Sequence, residues 1–248
     1  MTSNFDALAQ AALDHDFYGW DFSYVCGRMV ESNPAWDYPV RAKSGVPKSV
    51  SLLDVGTGGG ELFATFAPFP ADTHATETYG ANIPIAEQTL TPLGVNVQGV
   101  DDVYKLPYDD AKFDLILNRH SYVAVPETAR VLKSGGRFIT QQVGGANNVR
   151  LNDLLTGKTP PVKWDLGEAV RLLEDAGFEI VDEQEAYPET IFYDIGAVVF
   201  YLRVIVWQID DFSVEKYETQ LRDIHAMIER DGKLTTTAHR FLIDAVKR

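Results

Sequence analysis

The residues best equipped for chemistry gather around one short loop. An apolar run at residues 50–53 ends in Asp54, and Asp54-x-Gly56-x-Gly58-x-Gly60 follows, with Thr57 inside it. Glycine at alternate positions lets the backbone approach a ligand that a Cβ would hold off, and it permits positive φ. A strand, a glycine loop and the start of a helix open a nucleotide-binding βαβ unit. The spacing is not that of the dinucleotide fingerprint, because Gly56-x-Gly58-x-x-Glu61 puts a carboxylate where the fingerprint has Gly or Ala. A carboxylate repels a pyrophosphate. The loop therefore suits a ligand with positive charge and no phosphate, the alternative being a glycine-rich turn with no ligand. Glu77 ends the next strand-like run, 17 residues beyond Gly60, where nucleotide-binding folds place the acid that holds the ribose. Its two oxygens match two adjacent hydroxyl donors.

A second set of groups sits at later strand ends. The run 113–117 ends in Asn118-Arg119-His120-Ser121, and 137–143 carries Gln141 and Gln142. The carboxyl ends of parallel strands face the ligand crevice. His120 there is either a base that takes a proton from an acceptor or a structural histidine held by a backbone carbonyl. The two amides either bind a polar substrate or satisfy loop backbone.

The elements that position these groups read as an α/β alternation. Strands are expected at 50–55, 72–77, 95–100, 113–117, 137–143, from 178, and at 234–246, the last at an edge. Helices are expected at 81–90 and from a capping box at Asp165-x-x-Glu168 to Gly177. The fold expected is a Rossmann-like, doubly wound seven-stranded sheet whose last strand is antiparallel. Residues 1–48 form a helical and aromatic lid segment before the core at 49–248, with Pro34 in the first turn of a helix. A helical cap is inserted between strands six and seven at about 192–232, its second helix capped by Ser213.

Composition narrows the classes. The 248 residues suffice for one α/β domain with additions, and 45% hydrophobic content supplies a core. A net charge of -14 argues against a broad nucleic-acid footprint, since phosphate binding rests on Lys and Arg. One cysteine, Cys26, excludes an internal disulfide and a thiolate zinc cluster, and no metal is expected. Residues 1–6 lack the basic start and apolar run of a signal peptide, and no apolar stretch reaches spanning length. A soluble cytoplasmic protein is expected, with no membrane partner.

Four segments in order carry a family resemblance: the loop stretch 50–61, Ala75-Thr76-Glu77, Leu106-Pro107-Tyr108-Asp109-Asp110-Ala111-Lys112-Phe113-Asp114-Leu115-Ile116-Leu117, and Glu127-Thr128-Ala129-Arg130-Val131-Leu132-Lys133-Ser134-Gly135-Gly136-Arg137-Phe138. From about residue 50 onward the chain resembles the class I S-adenosylmethionine-dependent methyltransferases. The resemblance implies S-adenosyl-L-methionine held by Asp54, Gly56, Thr57, Gly58, Gly60 and Asn118. It puts Glu77 on the ribose, Thr78 and Asn82 beside the adenine, and Asp102 on the adenine amino group with the Val103 N–H on the ring. Asp101, one residue earlier, leaves a one-residue shift open. The segment before the first strand lies over the cofactor in this family, which makes Tyr18, Trp20, Trp36 and Tyr38 substrate candidates, or simply packing rings. Gln141, Gln142, Tyr193 and Trp207 complete the candidates.

The implied reaction is in-line displacement at the sulfonium methyl by a small-molecule acceptor, which depends mainly on positioning. Residues 194–207 are similar to the cap of ribosomal-RNA guanine-N1 methyltransferases, which keeps an RNA-base alternative, although those enzymes carry a four-cysteine finger. A non-catalytic S-adenosylmethionine-binding protein is the third reading, and a nicotinamide dehydrogenase is disfavoured by the loop. The sequence Asn118-Arg119-His120-Ser121 lacks the Asn/Asp-Pro-Pro-aromatic motif of the DNA amine methyltransferases. The apolar helix near residue 200 is either a cap or an oligomerisation surface.

Overall fold

The computed structural model describes residues 4–18 and 20–248. In chain order they form α1 (Asn4–Asp14), β1 (Met29–Glu31), α2 (Tyr38–Gly45), β2 (Ser51–Val55), α3 (Glu61–Ala64), β3 (Asp72–Glu77), α4 (Ile83–Leu90), β4 (Asn96–Gly99), β5 (Phe113–Arg119), α5 (Val125–Val131), β6 (Leu132–Val143), α6 (Val149–Thr156), α7 (Leu166–Asp175), β7 (Phe178–Ala186), β8 (Glu189–Phe192), α8 (Ile195–Val204), α9 (Glu218–Asp231), β9 (Leu234–Thr237) and β10 (Arg240–Lys247). They divide into two compact units. The sheet unit holds residues 35–144, 163–186 and 240–248, and the other holds the described residues before 35 with 145–162 and 187–239.

The sheet unit is built on seven strands in the order β4-β3-β2-β5-β6-β10-β7. From β4 to β6 neighbours run parallel, and β10 is antiparallel to both β6 and β7. This is the mixed, doubly wound sheet that the alternation predicts. Alternate residues feed two apolar layers. Leu52, Leu115, Leu117 and Ile139 pack with Ala42 of α2, Phe63 of α3 and Ala86 and Leu90 of α4. Leu53, Ile116, Phe138 and Phe241 pack with Val125 and Val131 of α5 and Ala169 and Leu173 of α7.

Residues 234–246 are two strands rather than the single edge strand expected. β9 joins a small sheet of the other unit, while β10 lies between β6 and β7 and leaves β7 at the edge. Phe241, Leu242 and Ile243 are all fully buried, which an internal strand provides and an edge does not. The buried Asp244 of β10 is neutralised by Arg137 of β6 and by Arg41 of α2 at 3.2 Å, and Arg41 also reaches Asp182 of β7 at 2.5 Å. α2 begins later than expected. Asp37 caps it by accepting the Val40 N–H at 2.9 Å, so Pro39 and not Pro34 stands in its first turn. Asp165 caps α7 as its capping-box position predicts, accepting from Glu168 N at 2.9 Å.

In the second unit α8 is the core. Residues 195–202 are all buried, with Phe5, Ala9 and Ala12 of α1 and Leu221, Ile224 and Ile228 of α9 in the same cluster. Asp194 caps α8 through Ala197 N at 3.0 Å and pairs with Arg28 at 2.6 Å. β1, β8 and β9 form a three-stranded antiparallel sheet. The apolar surface of α8 is therefore consumed inside the chain, which removes it as the oligomerisation face. Ser213 accepts from Lys216 N at 3.2 Å and shapes a turn; α9 itself starts at Glu218. No helix among the described residues is long and apolar enough to cross a membrane.

Candidate functional site

Parallel pairing brings the carboxyl ends of β2, β3, β4 and β5 side by side, with Val55 level with Thr76 and Asn118, and Glu77 level with Gly99. The glycine loop is strapped to β3. Gly56 N and Thr57 N donate to the Thr76 carbonyl at 2.9 and 3.0 Å, and Gly58 N donates to Glu77 Oε2 at 2.6 Å. Gly56 and Gly60 have φ of +71° and +83°. A Cβ on Gly56 would lie 2.0 Å from Ser121 Oγ, and one on Gly60 would lie 2.6 Å from Leu90 Cγ. Both positions exclude other residues by sterics as well as by backbone conformation. α3 is a single turn, too short to present an anion-binding N-terminus.

Glu77 is 5% exposed and already well supplied with donors. Its Oε1 accepts the N–H groups of Thr78 and Tyr79, each at 2.8 Å, and Oε2 takes Gly58. A carboxylate offers about four lone-pair positions, so three are used. One position, on Oε2, is left for a ribose hydroxyl, and the two-pronged grip that the sequence predicts requires one of these three N–H groups to let go.

Beside this acid a cavity of about 60 Å³ is lined by Asp54, Tyr38, Thr57, Phe63 and Arg119, among others. Burial pushes the Asp54 carboxyl up to about 7, and the charge of Glu77 adds to the rise while the Thr57 hydroxyl and Arg119 oppose it. Burial, reinforced by the charge of Asp54, likewise holds the Tyr38 phenol well above its ordinary value. Two buried carboxyls around a glycine loop make a site for a cation that also carries hydroxyl donors. The same two carboxylates, when ionised, repel phosphate.

The other expected cofactor residues divide into three groups. Thr78 and Asp102 are exposed at the strand ends, and Asp102 Oδ1 accepts Tyr104 N at 2.8 Å, which shapes the loop that carries the half-exposed Val103. Asn118 is locked: Nδ2 donates to Val55 O at 3.1 Å and Tyr122 O at 3.4 Å, while Oδ1 accepts from Thr140 Oγ1 at 3.1 Å and Gln142 Nε2 at 2.5 Å. All four of its hydrogen-bonding positions are taken, so Asn118 and Gln142 fasten β2, β5 and β6 together. Asn82 is fully buried, and neither atom of its amide has a partner among the described residues.

His120 follows β5 in the left-handed region, at φ 54°. Its ring is tied into a chain that begins at Trp36: the indole Nε1 donates to Gln141 Oε1 at 2.7 Å, and Gln141 Nε2 meets His120 Nε2 at 2.9 Å. The residue is exposed, yet the crowding of its ring by surrounding protein holds its pKa well below the ordinary value, and the positive charges of Arg119 and Arg240 act in the same direction. The structure thus brings Trp36, Gln141 and His120 together, with Tyr38 at the Asp54 cavity. Tyr18, Trp20 and Tyr193 belong to the other unit, as does Trp207. Tyr18 and Trp207 are 71% and 60% exposed, and the rings of Trp20 and Trp207 meet edge to face at 6.1 Å.

Two features escaped the motif reading. Arg119 is at the end of the same strand as His120, and the strand-end rule that singles out His120 applies equally to it. Glu127 and Arg130 form a clasp. Glu127 accepts Leu106 N at 2.6 Å, and Arg130 donates to the carbonyls of Leu106 and Tyr108 at 3.1 and 2.8 Å while pairing with Glu127 at 2.6 Å. Their i, i+3 spacing on a helix was the available signal.

Residues 53–140 match the family model described as a methyltransferase domain. A sterol 4-C-methyltransferase of Caenorhabditis elegans is 23% identical over 163 residues, 60% of this chain and 48% of that protein. A probable phthiotriol/phenolphthiotriol dimycocerosates methyltransferase of Mycobacterium ulcerans is 35% identical over 99 residues, 37% of this chain and 38% of that one. The chain thus spans half or less of the length of these curated relatives. Among solved structures, a putative methyltransferase from Bacillus halodurans shares the fold with a TM-score of 0.58 and 18% identity, covering 99% of both chains.

Proposed function

We infer that this chain, whose residues 53–140 match a methyltransferase domain, is a class I S-adenosylmethionine-dependent methyltransferase and transfers a methyl group to a small, largely apolar acceptor. The observation that carries the reading is the pair of buried carboxyls, Asp54 and Glu77, around a loop in which Gly56 and Gly60 leave no room for a Cβ. S-Adenosyl-L-methionine, when bound, supplies a sulfonium-activated methyl group that an acceptor's electron pair displaces. Glu77 would hold the ribose hydroxyls, and Asp54 would face the cationic end. Arg119, beside Asp54, suits the ligand's carboxylate, so the two side chains match an amino acid's opposite charges. Gly56, Thr57, Gly58 and Gly60 set the backbone close to the ligand. Thr78, Asp102 and Val103 remain our candidates for the adenine. Asn118 supports the site from beneath rather than touching it.

The names of two curated relatives, a sterol 4-C-methyltransferase and a probable phthiotriol/phenolphthiotriol dimycocerosates methyltransferase, favour an apolar acceptor, and the charge of -14 disfavours RNA. Labelled methyl transfer distinguishes the outcomes. The chain is incubated with methyl-labelled cofactor and, in parallel, with a lipid and phenol extract or with total RNA. Label in the organic phase is expected. Label confined to RNA reverses the acceptor assignment, and cofactor binding with no transfer to either pool points to a binding protein.

A further inference from the structure

We infer that Trp36 and Gln141 are positioning residues that hold His120 as the neutral imidazole carrying its proton on Nδ1. In this form His120 donates a hydrogen bond to the methyl acceptor instead of taking a proton from it. The inference deepens the methyltransferase reading, on which its reference to an acceptor rests.

The geometry leaves one assignment. An indole N–H is a donor only, so the Gln141 atom 2.7 Å from Trp36 Nε1 is the amide oxygen. The Gln141 atom 2.9 Å from His120 Nε2 is then the NH₂ group, which has no lone pair to offer. His120 Nε2 therefore accepts, and the ring's proton is on Nδ1. Protonating Nε2 would set two donors against each other. The charges facing the ring have the same effect, since Arg119 at the end of β5 and Arg240 at the start of β10 both disfavour an imidazolium. No carboxylate is hydrogen-bonded to the ring among the described residues. The chain is anchored on rigid elements: Gln141 is buried in β6, and its carbonyl accepts the His120 backbone N–H at 2.8 Å.

The nitrogen that would act as a base is thus occupied, while Nδ1–H has no partner among the described residues and the residue is exposed. A donor at the methyl-transfer end of the sheet selects an acceptor that arrives with an oxyanion, such as an acidic phenol or an enol. The acceptor's own pair forms the bond to the methyl carbon, the pair of the broken carbon–sulfur bond stays on sulfur, and no proton passes to His120.

The test is long-range proton–nitrogen correlation NMR on histidine-labelled protein, with the His120 signals assigned by their loss in His120→Gln. The expected wild-type pattern is one neutral form, protonated at Nδ1, unchanged between about pH 5 and 8. Gln141→Glu, nearly isosteric, lets a carboxylate accept from both Trp36 and Nε2–H. His120 should then become protonated at Nε2 and titrate above its ordinary range. Trp36→Phe frees the amide to turn, and both neutral forms should appear. A wild-type signal protonated at Nε2, ordinary titration, or a Gln141→Glu ring identical to wild type overturns the inference. Calorimetry with S-adenosylhomocysteine on the same samples separates the failures. No cofactor binding with the predicted wild-type ring state overturns the methyltransferase reading, and with it the acceptor, while the ring-state assignment stands.

Discussion

Glu77→Gln isolates what the buried acid does for the fold and for the ligand. Glutamine keeps one carbonyl oxygen, enough for the Thr78 and Tyr79 N–H groups that Oε1 accepts at 2.8 Å. It turns an NH₂ toward Gly58 N, which Oε2 accepts at 2.6 Å in the wild type. The lost charge-assisted bond is worth roughly 1.5–3 kcal/mol, and an orphaned buried N–H adds about 1–3. Removing the charge also relieves Asp54, whose carboxyl Glu77 helps to push up to about 7, and this returns part of the cost. A net loss of roughly 2–4 kcal/mol follows, or a Tm lower by about 5–12 °C for a chain of this size. The ribose loses an ionised acceptor, and S-adenosylhomocysteine should bind about 10- to 100-fold more weakly. Differential scanning fluorimetry and titration calorimetry read the two effects separately. A variant with wild-type Tm would show that Glu77 does not hold the loop, and wild-type affinity would show that it does not hold the ligand.

Asp54 makes stability depend on pH in an unusual direction. Its folded value, about 7, lies above its ordinary 3.8, so the folded chain keeps a proton that the unfolded chain has lost, and stability falls as pH rises between about 4 and 7. Asp54→Asn should be the more stable protein at about pH 8, by up to about 4 kcal/mol. Wild-type affinity for the cationic cofactor should climb through about pH 7 and the variant's should not; parallel melting and binding profiles would contradict both. Arg130→Ala should cost about 1–3 kcal/mol and speed amide hydrogen exchange at Leu106 and Tyr108 specifically; uniform exchange across the sheet would refute the clasp. The Asn82 amide, buried without a partner among the described residues, should make Asn82→Leu neutral or stabilising by about 1–3 kcal/mol. A large fall in Tm would mean that the amide has a partner.

The sheet was readable because parallel strands buried on both faces are nearly continuous apolar runs, as at Leu52 and Leu53 or Ile116 and Leu117. The carboxyl-end rule and the glycine spacing then singled out Asp54, Glu77 and His120 as candidates. What escaped was set by long-range contacts. Nothing local marks the break at Ala238 and His239, where β9 and β10 part for different sheets. β1 and β8, at three and four residues, are too short for period-two alternation to register. Asn118 looked like a ligand contact because its position is right, and only the side chains of Thr140, its partner in register, and Gln142 reveal that its amide is already satisfied. The Trp36–Gln141–His120 chain spans residues 36 to 141, a separation that periodicity does not report.

The most direct test of the central claim is titration calorimetry of the purified chain with S-adenosylmethionine, S-adenosylhomocysteine and NADH. Saturable heat at micromolar concentration with both sulfur ligands is predicted, lost in Asp54→Asn at neutral pH and not competed by NADH. A folded sample that gives no heat with either sulfur ligand, or that binds NADH more tightly than both, would contradict the account.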